Sequence, residues 1–137
     1  MIVVDSSALV AILEEETEAE NFLQIIQDAP RRLVSAVTVY ETGIVIGARR
    51  GWESAEDALA LLEQLGIEIV PFAEAQIPGA LEAYSRYDKG FRAKARLNLG
   101  DCAAYALAKS VNAPLLFKGE DFSETDVQKC QRWREAK

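Results

Sequence analysis

The sequence contains no histidine at all. This absence excludes serine–histidine triads, histidine-based acid–base nucleases and the usual histidine zinc sites. Cysteine is scarce too, since only Cys102 and Cys130 are present and their separation lacks the spacing of a metal site. Because the N-terminus carries no secretory pattern, we expect two free thiols in a reducing compartment, the cytoplasm. Any catalysis must therefore depend on carboxylates, hydroxyls, thiols, amines or a bound metal.

Long apolar runs and phosphate-binding loops are also missing. No stretch without a charged residue is longer than eight residues, which predicts that no segment crosses a membrane. No glycine-rich loop follows an apolar run, which disfavours a nucleotide cofactor. The 137 residues are 50% hydrophobic and 27% charged, as in an ordinary globular domain. We expect one domain over residues 1–137, with residues 124–137 as a C-terminal tail or a last short element.

Short apolar runs alternate with helical patterns along the chain. Short strands that alternate with helices build a parallel sheet with helices on both faces. We therefore predict an α/β fold with a short central parallel sheet of four to five strands. The predicted strands are residues 2–4, 33–35, 67–70 and 115–117, and the predicted helices cover residues 7–13, a segment around 22–26, 38–50, a segment ending at 65, 75–87 and 100–110.

Acidic residues stand at four points that this fold would bring to one edge of the sheet. Asp5 directly follows the first predicted strand, and the pair Glu120 and Asp121 follows the fourth. Glu41 and Asp101 lie in early turns of helices that leave the same sheet. Parallel sheets bind their ligands at the carboxyl ends of the strands. The joint placement of these acids therefore indicates a site.

Each acid also has an ordinary structural explanation. Asp5 suits the N-cap of the helix that follows it. Glu41 lies on an apolar helix face, where a carboxylate is costly, but it has capping-box spacing from Thr38. Asp101 would lie in the first turn of a helix capped by Asn98, where the helix dipole favours an acid. The acidic pair after the fourth strand would be a solvated turn.

A cluster of carboxylates without histidine favours a divalent cation. Carboxylates brought together raise one another's pKa values and destabilise the empty site. Oxygen ligands alone suit Mg²⁺ or Mn²⁺, which can ionise a water and neutralise charge on a phosphoryl oxygen. The chemistry that this pattern predicts is phosphodiester hydrolysis by a metal-activated water.

Four motifs in this chain resemble those of the PIN-domain family, in particular the VapC-type ribonuclease toxins. They are VVDSSALVAIL, SAVTVYETGIVI, LNLGDCAAYALAK and LLFKGEDF, in the order that the family has them, between Ile2 and Phe122. The resemblance implies a PIN-like domain and an Mg²⁺-dependent endoribonuclease, with Mn²⁺ able to substitute. It also implies an RNA substrate, a cognate antitoxin that covers the site, and a homodimer.

The resemblance assigns roles to individual residues. Asp5, Glu41 and Asp101 match the three most regular acids of the family, with Asp5 and Asp101 as the principal metal ligands. Glu41 would complete the first metal site or orient the attacking water. Ser6 matches a small hydroxyl residue that often follows the first acid and could orient a ligand.

The fourth acid departs from the common family pattern. Many members have Asp or Asn where this chain has Gly119, two residues before the acid matched by Asp121. Asp121, or alternatively Glu120, would have to support a second ion or the water shell of the metal. Whether one or two metals bind therefore stays open.

The basic segment RYDKGFRAKAR, residues 86–96, also resembles one subgroup of these toxins. It holds five basic residues and one acid in a chain whose formal net charge is −7. We interpret it as a track for the RNA backbone, with a solvated loop or a docking surface for an acidic partner as the alternatives. Its basic residues are Arg86, Lys89, Arg92, Lys94 and Arg96.

Two other functions compete with this interpretation. A catalytically inactive PIN-like interaction module is compatible with the altered fourth position and the acidic net charge. A metal-dependent phosphotransfer or phosphatase domain would use the same kind of sheet. That class needs paired acids at the first strand, whereas Asp5 is followed by Ser6 and Ser7.

Overall fold

The protein is described by a computed structural model over residues 1–87, 97–123 and 125–130. Within these ranges no helix is both long and apolar enough to cross a membrane. The strands are Ile2–Val4 (β1), Arg32–Ser35 (β2), Glu68–Val70 (β3) and Leu115–Leu116 (β4). The helices are Ser6–Leu13 (α1), Ala19–Asp28 (α2), Ala36–Arg50 (α3), Asp57–Leu65 (α4), Ile77–Tyr87 (α5) and Leu99–Ser110 (α6).

The four strands form one parallel sheet in the order β3-β2-β1-β4. The central strand β1 is fully buried, as expected of a parallel strand with helices on both sides. Ile2 and Val4 pack into one apolar core with α1 and α2, whereas Val3 packs into a second core with α6. The predicted α/β fold with helices on both faces is thereby confirmed.

The helix α3 connects the two layers at the carboxyl end of the sheet. It leaves β2 directly, contacts α1 on one side and contacts α6 on the other. Its N-cap is Ser35, whose hydroxyl oxygen accepts the backbone N–H of Val37 at 3.2 Å. This position of α3 is what brings its side chains between the ends of β1 and α6.

No capping box forms at the start of α4, whose N-cap is Glu56. Ser54 and Asp57 have capping-box spacing, but residues Trp52–Glu56 form a 3-10 helix that leads into α4. The hydroxyl of Ser54 donates backwards to the carbonyl oxygen of Arg50 at 3.3 Å. The chain is already helical before α4, so the spacing marks no helix start.

Residues 125–130 pack along the outer side of β4. Lys129 forms an isolated parallel bridge with Leu115, and the side chain of Val127 is buried in the α6 core. Tyr105 is only 5% exposed, and its hydroxyl donates to Asp126, which also pairs with Lys109 at 3.1 Å. Tyr105 is therefore a core residue, and its ring is not available to stack on a base.

Candidate active site

Asp5 lies at the end of β1 and caps α1. Its backbone N–H donates to the carbonyl oxygen of Leu116 at 2.9 Å, which holds it against the end of β4. Its side-chain Oδ2 accepts the backbone N–H of Ser7 at 3.0 Å. The other oxygen, Oδ1, is buried and accepts no hydrogen bond from any residue in the described ranges. Asp5 is thus an N-cap that keeps one carboxylate oxygen free.

Ser7, rather than Ser6, orients the carboxylate of Asp5. The hydroxyl of Ser7 donates to Asp5 Oδ2 at 2.7 Å and accepts the backbone N–H of Lys118 at 2.9 Å. Because the Lys118 N–H can only donate, the hydroxyl proton must be directed towards Asp5. Ser6 is buried at the first position of α1, and its backbone N–H also lowers the pKa of Asp5. An N-cap acid accepts from the residue two positions on, so the cap rule alone could have identified Ser7.

Glu41 lies on the part of α3 that faces α6. The predicted alternative, a capping box with Thr38, is wrong because α3 begins two residues before Thr38 and is capped by Ser35. Glu41 is partly buried, and its Oε1 is buried without a hydrogen-bond partner among the described residues. Both carboxylate oxygens lie against Gly100, at the start of α6. Glu41 is therefore held at the site without forming a cap.

Asp101 lies in the first turn of α6, which Asn98 caps as predicted, and the two residues also form a capping box. Its backbone N–H donates to Asn98 Oδ1 at 2.8 Å, and its Oδ2 accepts the backbone N–H of Asn98 at 3.0 Å. The residue is only 6% exposed. As with Asp5, the cap uses one carboxylate oxygen, Oδ2, so the role in the cap does not exclude a role in a site.

The charges of these acids act on one another. Burial raises the pKa of Asp5 to about 6, opposed by its hydrogen bonds from Ser7 and aided by the charge of Glu41. Burial also raises the pKa of Asp101 to about 7, with further increases from the charges of Asp5, Glu41 and Asp121. Burial and like charges both disfavour the ionised form of a carboxyl group. The fold therefore brings together the acids that the sequence singled out, at an electrostatic cost.

The fourth acidic position lies in the turn after β4. Asp121 is exposed, but its charge reaches Asp101 and raises the pKa of that residue. Glu120 is also exposed and accepts a hydrogen bond from the hydroxyl of Ser123 at 2.9 Å. Gly119 has a φ of +95°, a conformation that glycine adopts without strain. Of the two candidates, Asp121 is the one that acts on the cluster.

Of the five basic residues in segment 86–96, only Arg86 is among the residues that the structure describes. Lys89, Arg92, Lys94 and Arg96 lie outside the described residues. Arg86, on the last turn of α5, lies 3.4 Å from Glu82 one turn earlier. An exposed pair of this kind contributes little to stability.

The donor set is chemically suited to a hard divalent cation. It consists of carboxylate oxygens, two of which are buried without a partner, and a cation would relieve their mutual repulsion. No three acidic or cysteine side chains in the described part of the chain are already spaced to chelate one ion. A cation held by one or two carboxylates and several waters, the usual Mg²⁺ arrangement, needs no such cage. The residues therefore fit a hydrated ion.

Comparisons with known proteins agree with this architecture. The sequence signature of the family described as PIN domain matches residues 2–128. A protein named ribonuclease VapC from Mycolicibacterium smegmatis is 44% identical over 126 residues, which are 92% of this chain and 97% of that protein.

Solved structures share the fold at low sequence identity. Mycobacterium tuberculosis VapC20, described as a sarcin–ricin loop cleaving toxin, superposes with a TM-score of 0.74 at 17% identity over 93% of this chain and 96% of that one. A chain of a toxin–antitoxin complex from Klebsiella pneumoniae gives a TM-score of 0.67 at 16% identity over 92% and 93% of the two chains.

Proposed function

The chain belongs to the PIN-domain family, and on this basis we propose that it is a divalent-metal-dependent endoribonuclease that serves as the toxin of a toxin–antitoxin pair. The observation that carries the proposal is the burial of Asp5 and Asp101 beside Glu41, with free carboxylate oxygens on Asp5 and Glu41. Burying carboxylates that repel one another destabilises a fold, and groups with pKa values perturbed in this way cluster at functional sites.

The proposed cofactor is Mg²⁺, for which Mn²⁺ would substitute. Asp5 and Asp101 would be its principal ligands, directly or through water. Glu41 would complete this site or orient the attacking water, and Asp121 would support a second ion or the water shell. When bound, the cation supplies an ionised water and neutralises charge on a phosphoryl oxygen.

The chain's own residues prepare this site. Ser7 holds Oδ2 of Asp5, so the free Oδ1 keeps one orientation. The capping box holds Oδ2 of Asp101 in the same way. Burial and the neighbouring acids raise the pKa of Asp101 to about 7, so near neutral pH its carboxyl group is partly protonated, and a nearby positive charge favours the ionised form. Because water rather than the ribose 2′-hydroxyl attacks, cleavage leaves a 5′-phosphate and a 3′-hydroxyl.

The proposed partners are RNA, an antitoxin and a second copy of the chain. The basic residues of segment 86–96 would contact the RNA backbone. Tyr40 directly precedes Glu41, and Leu99 lies two residues before Asp101; these two residues are 72% and 75% exposed, so an antitoxin covering the acids would bury them. The structure of a related fold in a toxin–antitoxin complex supports such a partner. Because cellular RNA is the substrate, the proposed location is the cytoplasm.

The proposed homodimer would use α5. Ile77, Leu81 and Tyr84 follow one another at helical spacing and are exposed on one face of this helix. They border an apolar groove of about 460 Å³ between α5 and α6, whose other walls include Phe72 and Leu99. A contiguous exposed apolar face is one of the features that mark protein–protein interaction sites.

The test is cleavage of total cellular RNA by purified protein that is free of antitoxin. New 5′ ends would be mapped by sequencing after incubation with Mg²⁺ or Mn²⁺, because a single cut in one RNA leaves a gel unchanged. We expect new 5′-phosphate ends that disappear with a chelator and in the Asp101→Asn variant. The mechanism would be wrong if the ends were 2′,3′-cyclic phosphates. The absence of new ends, together with no metal binding, would favour the inactive interaction module.

A further inference from the structure

Gly100 has no backbone reason to be a glycine. Gly51, Gly66 and Gly119 adopt positive φ angles, but Gly100 does not. It is the second residue of α6, and glycine is among the residues least favourable to a helix. Something other than chain conformation therefore accounts for the missing side chain.

The space that a side chain would occupy is filled by the carboxylate of Glu41. A Cβ added to Gly100 would lie 2.5 Å from both Oε1 and Oε2 of Glu41 and 2.6 Å from Cδ. Atoms in proteins do not approach so closely, so one of the two groups would have to move. The carboxylate is the end of a flexible side chain, whereas the backbone of α6 is held by the capping box between Asn98 and Asp101. The carboxylate would therefore move.

We propose that Gly100 is a positioning residue, whose lack of a side chain allows Glu41 to place its carboxylate against the first turn of α6, beside Asp101. The expected effect on metal binding rests on the proposed function, in which the position of Glu41 determines how well the acids bind a divalent cation. Gly100 itself touches neither the cation nor the RNA, and it acts only through Glu41. The sequence shows it only as a small residue before an acid.

The test compares Gly100→Ala with Gly79→Ala. Gly79 is the third residue of α5, and a Cβ there would lie 3.8 Å from the Cβ of Ala106, an ordinary contact. Both variants add one methyl group to the first turn of a helix, so they share the effect on helix propensity. Binding of Mn²⁺ would be measured by electron paramagnetic resonance, which needs no RNA cleavage.

We expect Gly100→Ala to lower Mn²⁺ affinity by about tenfold or more, as loss of a supporting contact at a metal site does, and Gly79→Ala to leave it unchanged. In a Glu41→Ala background, Gly100→Ala should have no further effect, because the group it displaces is absent. Equal loss in both backgrounds would overturn the inference, since Gly100 would then act independently of Glu41. Wild-type affinity in Gly100→Ala would overturn it as well.

A crystal structure of Gly100→Ala separates this inference from the proposed function. The Glu41 carboxylate should have left the start of α6 whether or not the protein binds a metal or cleaves RNA. An unmoved Glu41 would refute the positioning role. A displaced Glu41 in the variant, together with a wild-type protein that neither binds Mn²⁺ nor cleaves RNA, would uphold the positioning role and refute the proposed function.

Discussion

Replacing Asp101 by asparagine should stabilise the metal-free protein while it removes activity. Burial and the neighbouring acids raise the pKa of Asp101 from 3.8 to about 7. Each pKa unit corresponds to 1.36 kcal/mol, so the ionised carboxylate costs the folded state about 4 kcal/mol at pH 8. Asparagine removes this cost and can still accept the N–H of Asn98, although the neutral bond is weaker by about 1 kcal/mol. The expected net gain is about 2–3 kcal/mol in the free energy of unfolding.

The sign of this effect depends on pH. An acid with a raised pKa in the folded state destabilises the protein only where it is ionised. The wild-type protein should therefore lose stability as pH rises from about 4 to about 7, through the interval between the unfolded and folded pKa values of Asp101. Near pH 4 the variant and the wild type should differ by less than about 1 kcal/mol, because the acid is largely protonated in the fold.

Urea denaturation followed by far-ultraviolet circular dichroism, in the presence of EDTA, measures the free energy of unfolding of the variant and of the wild type at pH 8 and near pH 4. The matched control is Asp126→Asn, since hydrogen bonds from Tyr105 and Lys109 lower the pKa of Asp126 and its loss should be destabilising at pH 8. Added Mg²⁺ should stabilise the wild type and leave Asp101→Asn unaffected, because only the wild type binds it. An Asp101→Asn variant that is less stable than the wild type at pH 8 would refute the reasoning, since the carboxylate would then be a net stabiliser of the fold.

Three further predictions concern other parts of the molecule. Ser7→Ala should lower the free energy of unfolding by about 1–3 kcal/mol, measured by urea denaturation, and weaken Mn²⁺ binding about tenfold, measured by metal titration. Unchanged metal affinity would show that the orientation of the Asp5 carboxylate does not matter for metal binding. Leu81→Glu should convert a dimer into a monomer in light scattering, and a persistent dimer would assign the interface to another face. Replacing Lys89, Arg92 and Lys94 together by alanine should weaken RNA binding. The slope of log affinity against log salt concentration should become shallower by about 0.7 per lost phosphate contact. An unchanged slope would mean that these residues do not contact phosphates.

Much of the local structure could be read directly from short patterns. The cap at Asp5 and the cap at Asn98, with Asp101 in the first turn of its helix, were predicted, and both are present. These features depend on a few neighbouring residues, so local sequence is enough to specify them. The predicted capping box of Thr38 and Glu41 does not form, because another residue caps the helix first. The sheet ends at Ser35, and the helix starts there, before the pattern can act.

The sequence by itself determined the parallel sheet and the acids that follow its strands, because buried strands must be apolar and parallel strands end at one edge. Only the tertiary structure decided which distant groups hold the acids in place. Ser7 is joined to Lys118 across 111 positions of sequence, and Gly100 meets Glu41 across the contact between α3 and α6. Contacts between distant segments depend on how the layers pack, and no periodicity or spacing in the chain encodes them.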